Sequence, residues 1–167
     1  MKYKHVGVIA EDESDINVIK ELIKIIAPQS CITYKSFAAH GCGKIIGKCL
    51  QWSNNLAMRG CTILLVIQDL DTNDIDNLKL EFETALKDSA IKKHIAIIPI
   101  REIEAWLLSD SDAIKKAMDL KINLAVIANP QEILDPKRTL RDIVYLKSKK
   151  TRRYINTVHN QLIAANC

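Results

Sequence analysis

The chain has 167 residues, 48% of them hydrophobic and 26% charged, and a formal net charge of +4. This length and balance fit one globular domain with a sizeable core and exclude a disordered or low-complexity chain. No apolar run reaches the roughly 18–20 residues of a membrane span, and acids follow the first apolar run too closely for a signal peptide.

Val6 to Ala10 reads as a first strand, short and apolar, running into Glu11-Asp12-Glu13-Ser14-Asp15. Ile16, Ile19, Leu22, Ile23 and Ile26 then recur at helical spacing, which predicts a helix from Ile16 to Ile26. Ser14 or Asp15 is its expected cap, and Ala27-Pro28 ends it. Glu11 therefore falls at a strand's carboxyl end, just before a helix N-terminus.

Cys31 to Phe37 reads as the second strand. His40-Gly41-Cys42-Gly43-Lys44 is a flexible turn before a helix from about Lys44 to Met58. Its Gly-x-Gly-Lys fails as a Walker loop. Ala38 stands where the first glycine belongs, and Ile45 where Ser or Thr would hold Mg²⁺. Lys44 is either a side chain that approaches a phosphate from a helix N-terminus or part of a plain turn.

Thr62 to Ile67 is uncharged and almost wholly apolar or β-branched, the pattern of a strand buried on both faces. It runs into Gln68-Asp69-Leu70-Asp71. In extended backbone, residues i and i+2 point the same way, so Asp69 and Asp71 would sit together at the strand end where α/β sheets bind ligands. Paired carboxylates repel unless a proton or cation lies between them, and a hard ion such as Mg²⁺ suits oxygen donors. The alternative is a helix cap and a solvated acid. Asp74 then caps a helix from Ile75 to about Leu86, and His94 to Ile100 is a fourth strand.

This order predicts an α/β domain with a mostly parallel sheet of about four strands and helices on both faces. From about residue 103 the chain is mainly helical. Ala105 to Leu108 forms one turn with Glu104 near its start, an acid that the helix dipole also favours there. Ser111 to Met118 is a short helix capped by Ser109 or Ser111. Leu124 to Ile127 is a small strand or a loop, and Lys137 to Leu146 and Arg153 to Ala165 are helices. Lys147, Lys149, Lys150, Arg152 and Arg153 form a basic cluster, either a phosphate contact or a solvated turn. The five cysteines, Cys31, Cys42, Cys49, Cys61 and Cys167, form no C-x-x-C pair. They read as reduced thiols of a cytoplasmic protein.

Glu11 with Ser14-Asp15, followed by Asp69-Leu70-Asp71, resembles the Toprim pattern of a Glu after the first strand and a later D-x-D. Glu104-Ala105-Trp106-Leu107-Leu108-Ser109-Asp110 and Pro136-Lys137 are similar to motifs of a bacterial Toprim-like family of unknown function, matched from about Val6 to the C-terminus. Asp12 departs from that pattern, which has glycine there. The resemblance implies a three-layer Toprim-like fold and metal-assisted phosphoryl transfer, as in a nuclease of a phage-defence system. It implies that Glu11, Asp69 and Asp71 hold Mg²⁺ or Mn²⁺, that Glu104 completes a metal position, and that Lys137 neutralises a phosphate oxygen. On the same basis DNA or RNA is an expected substrate, an ABC- or AAA-type ATPase an expected partner, and an oligomer is possible. Asp15 is expected to be a cap rather than a ligand. The competing expectations are a non-catalytic module that binds a partner and an enzyme acting on small phosphoesters.

Overall fold

The computed structural model describes residues 4–28, 31–39 and 45–167. Lys44 and the glycines beside it lie outside them. The strands are β1 Lys4–Ala10, β2 Ile32–Ala38, β3 Ile63–Ile67 and β4 His94–Ile97. They pair in parallel in the order β2-β1-β3-β4. The helices are α1 Glu13–Ile26, α2 Ile45–Met58, α3 Ile75–Leu86, α4 Ile103–Leu108, α5 Ser111–Ala117, α6 Pro136–Lys147 and α7 Asn156–Ala164.

The run Leu64-Leu65-Val66-Ile67 has no polar position because both sheet faces are covered. Leu64 and Val66 pack with Ile9, Leu56, Leu78 and Phe82, on the side of α2 and α3. Leu65 and Ile67 pack with Val8, Ile16, Ile103, Leu140 and Ile163, on the side of α1 and α4 to α7. The result is three layers, helix on sheet on helix. At Gly7 the approach of α2 is so close that a Cβ would stand 2.9 Å from Leu56 Cδ1. Among the described residues, no helix is long and apolar enough to cross a membrane.

Several boundaries differ from the sequence expectation. Helix α1 starts at Glu13 because Asp12, neither Ser14 nor Asp15, is its cap. Asp12 Oδ1 accepts the backbone N–H of Ser14 at 2.6 Å and of Asp15 at 3.3 Å, and Asp15 Oδ2 accepts the Asp12 N–H at 3.3 Å. This reciprocal capping box satisfies donors that the first turn leaves open. With φ −143° and ψ 174°, Asp12 has extended backbone and has no need of a glycine's freedom. Likewise Asp110, rather than Ser109 or Ser111, caps α5 by accepting Ala113 N–H at 2.8 Å. Strand β4 stops at Ile97, short of Ile100, and residues 124–127 are loop.

Three helices end in Schellman motifs, which place a left-handed residue just past the helix. Gly60 takes that position after α2 (φ 85°), Asp119 after α5 (φ 45°) and Lys149 after α6 (φ 54°). After α6, Lys150 N–H reaches Tyr145 O at 2.8 Å and Lys149 N–H reaches Leu146 O at 3.1 Å.

Candidate functional site

The strand order reverses at β1, with β2 on one side of it and β3 on the other. The register sets Ile9 opposite Val66, so Glu11 and Asp69 leave the sheet at the same end. This is the crevice where open α/β sheets bind ligands.

The acids gathered there act on one another. The Asp69 carboxyl is pushed up to about 8, first by burial and then by the charges of Asp15, Glu11, Glu104 and Asp71. Asp15 is pushed up to about 7 by burial and by Asp12, with Glu104 and Glu11 adding to the effect against the Asp12 N–H bond. Such mutual effects require carboxylates that lie close together. Glu11, Asp15, Asp69 and Glu104 thus form one electrostatic cluster, contributed by the end of β1, the first turn of α1, the end of β3 and the start of α4.

Glu104 is only 3% exposed, and a buried carboxylate needs partners. Its Oε1 accepts from Tyr154 Oη at 3.3 Å and from Asn160 Nδ2 at 3.1 Å, with Lys137 Nζ at 3.8 Å. Asn160 Nδ2 also donates to Ser14 Oγ at 3.0 Å, which ties α7 to the first turn of α1. Tyr154 shares its one hydroxyl proton between Glu104 Oε1 and the closer Asn160 Oδ1. Burial, then the charge of Glu104, drives the Tyr154 hydroxyl well above its usual range, which keeps it a donor. Burial pulls the Lys137 ammonium down, but Glu104, Glu102, Asp12 and Asp15 outweigh it and hold the group above its ordinary value.

Lys137 is also fixed from its backbone. Glu102 accepts the Lys137 N–H at 3.1 Å, Asp135 accepts the Arg138 N–H at 2.8 Å, and Pro136 has no N–H to offer. The N-terminus of α6 is therefore satisfied by protein groups, and Glu102 couples α4 to α6.

Asp71 differs from its expected setting. Strand β3 ends at Ile67, and Asp71 sits beyond it with φ 49°. The extended backbone that would align it with Asp69 does not reach it. Asp71 is exposed and lines a cleft of about 450 Å³ with Arg101, Glu102, Lys137 and Arg141. Arg101 is also left-handed, with φ 75°. Two strained residues on one cleft are a feature of functional sites.

The donor set suits a hard cation in type and charge, since all of it is carboxylate oxygen. Among the described residues, however, no three His, Cys, Asp or Glu side chains stand close enough to hold one ion as a group. Mg²⁺ is commonly held through one or two carboxylates, waters and substrate phosphates, so a ready-made three-acid cage is not required. Among the described residues, burial pushes the Cys49 thiol up to about 12 and raises Cys61 and Cys167, which disfavours the thiolate a metal needs.

Of the residues expected from sequence, Glu11, Asp69 and Glu104 share the cluster, Asp71 lies at its outer side, and Lys137 pairs with Glu104. Asp15 was expected only to cap a helix. It is the second carboxyl of the cluster as well as a member of the capping box. Tyr154 and Asn160 have no place in the sequence reading, and Ser14 enters it only as a cap and a motif residue. The signal for Asn160 was available, because it interrupts an apolar stripe that continues at Ile163 and Ala164.

A comparison with curated proteins and with solved structures finds no match. The model of a family described as a domain of unknown function, DUF4276, matches residues 10–167. The match takes in Glu11, Asp15, Asp69, Glu104, Lys137 and the helices that support them, and the chain belongs to that family.

Proposed function

We propose that this protein is a Mg²⁺- or Mn²⁺-dependent nuclease-like hydrolase of phosphodiester bonds, related to Toprim domains. The observation that carries the reading is the acid cluster at the β1/β3 switch point, contributed by four elements, where burial and then the charges of Asp15, Glu11, Glu104 and Asp71 push Asp69 to about 8. An excess of buried negative charge is what a divalent cation relieves. Asp69 with one neighbouring carboxylate, Asp15 or Glu11, would hold it together with waters and substrate phosphates, and uptake of the ion would release protons that Asp15 and Asp69 retain near neutral pH. A bound cation supplies charge neutralisation and an activated water. Glu104 is held in place by Tyr154 and Asn160 and orients the neighbouring groups. Lys137, charged and partly exposed, meets a non-bridging phosphate oxygen.

The test is incubation with DNA and RNA, with and without Mg²⁺ or Mn²⁺. Metal-dependent cleavage that disappears in Asp69→Asn and Glu11→Gln is expected. Cleavage unaffected by both substitutions overturns the assignment.

A second reading is a non-catalytic module that binds a partner, for example an ATPase. It is favoured by the lack of a three-acid group among the described residues. Calorimetry separates the two: no heat of Mg²⁺ or Mn²⁺ binding, with no cleavage of any polynucleotide, selects this reading.

A further inference from the structure

We propose that the cleft beside the acid cluster continues as a basic track over α6, and that this track holds a single nucleic-acid strand by its phosphates with Tyr145 stacking on a base. The inference rests on the phosphodiester reading above and specifies the form of its substrate.

Lys137, Arg141 and Tyr145 recur at four-residue intervals on α6. That spacing makes one stripe along the helix, about 12 Å long at about 1.5 Å per residue. The cleft of about 450 Å³ has Arg101, Lys137 and Arg141 on its walls, together with the acids Asp71, Glu102 and Asp135. A second cleft of about 340 Å³ is bordered by Arg141, Asp142, Tyr145, Arg153 and Tyr154. Arg141 belongs to both, so the two hollows adjoin. Tyr154 belongs to the second and also bonds Glu104, so the second hollow shares a wall residue with the acid cluster.

The charge is concentrated in the same place. Residues 137–153 carry eight of the chain's 24 Lys and Arg and only one, Asp142, of its 20 Asp and Glu. Asp142 lies 3.9 Å from Arg138, and Arg152 is held by Asp119 at 2.6 Å. Arg141 and Arg153 have no ion-pair partner among the described residues. Unpaired guanidinium groups on the walls of adjoining clefts suit a chain of phosphates. The backbone of α6 cannot do this work, because its first N–H groups are already taken by Glu102 and Asp135.

Tyr145 gives the track its preference for one strand. Its side chain is large and aromatic yet 38% exposed. An open ring beside a basic groove is the arrangement that binds unpaired bases by stacking, and a duplex keeps its base faces covered.

The test is fluorescence anisotropy in EDTA, with the full chain and a labelled single strand of about 20 nucleotides, longer than a typical single-strand site. Arg141→Glu is expected to weaken binding about tenfold and to lower the salt slope by about one phosphate contact. Tyr145→Ala is expected to weaken it about fivefold or more. Lys79→Glu on α3, away from the track, is expected to leave the affinity within about twofold, as a surface charge that touches no phosphate would. Arg141 and Tyr145 are exposed, so their variants are expected to fold, and circular dichroism checks that they do.

Equal weakening by Arg141→Glu and Lys79→Glu, or equal affinity of the wild type for duplex and single strand, overturns the track. The two proposals fail separately. Binding that depends on Arg141 without cleavage under any metal keeps the track and overturns the nuclease. Cleavage that needs Asp69 but ignores Arg141 and Tyr145 overturns the track alone.

Discussion

Asn160 Nδ2 donates to Ser14 Oγ at 3.0 Å across 146 residues of chain, and the same amide donates to Glu104 Oε1 at 3.1 Å. One side chain thus holds the helix that carries Asp15 and the helix that carries Glu104. Asn160→Leu keeps similar bulk and removes both bonds. It leaves a buried carboxylate short of a donor, which costs about 2–4 kcal/mol. Urea unfolding is expected to show that loss, with the m-value unchanged if the native and unfolded surfaces stay the same.

The acid cluster makes stability fall with rising pH when no divalent cation is present. Asp15 and Asp69 are raised from 3.8 to about 7 and about 8. Between the ordinary carboxylate value and those values, the native state keeps protons that the unfolded chain has released. Stability is therefore complete at the acid end and is lost as pH climbs through about 4 to about 8. Thermal melting in EDTA is expected to show a lower Tm at pH 8.5 than at pH 5.5. Added Mg²⁺ is expected to restore stability at the higher pH. A Tm that rises across that interval would contradict the clustering of these carboxyls.

Asp69→Asn removes the most strongly raised acid without changing its shape. In EDTA at pH 8.5 the variant is expected to melt above the wild type, because one buried like charge is gone. It is expected to lose the stabilisation by Mg²⁺ at the same time. This opposite response to metal distinguishes a site carboxylate from a structural one, whose removal would lower stability in both conditions.

Arg101 and Lys149 hold left-handed backbone that glycine would accept without strain. Lys149→Gly is expected to stabilise the protein by about 1 kcal/mol in chemical denaturation, since the Schellman motif after α6 stays intact. Arg101→Gly is expected to be neutral or stabilising by a similar amount while weakening any anion in the cleft. A destabilising result at Lys149 would mean that its side chain supports the loop.

Gly7→Ala tests the packing of α2 on the sheet. A Cβ would lie 2.9 Å from Leu56 Cδ1 and 3.3 Å from Leu56 Cβ. The crowding is expected to cost about 1–3 kcal/mol, read as a lower denaturation midpoint. Leu56→Ala in the same chain is expected to recover part of the Gly7→Ala loss, a coupling that a double-mutant cycle measures.

The sheet was legible because burial on both faces leaves only apolar residues in a run such as Leu64 to Ile67. Helix α3 was legible because Asp74 is a strong cap just ahead of a periodic stripe, and the structure has Asp74 accepting from Asp76 and Asn77 N–H. The start of α1 was not. Asp12, Ser14 and Asp15 are all good caps, and only the path of the chain leaving β1 selects Asp12. The D-x-D spacing draws attention to Asp69, two residues past the end of β3, but Asp71 turns into left-handed backbone that no local pattern announces. Tyr154 and Asn160 are selected by the docking of α7 on α1, a relationship set by the whole fold. The role of Asp15 was hidden by its suitability as a capping residue.

The parts of the acidic pocket lie far apart in the order in which a ribosome makes them. Glu11, Asp15 and Asp69 leave the tunnel early, while Tyr154 and Asn160 follow only after some nine-tenths of these residues have been made. Until they arrive, the Glu104 carboxylate lacks the amide and phenol that hold it. The pocket is therefore completed only with the last helix, and a nascent polypeptide carries its acids before it carries the groups that anchor them.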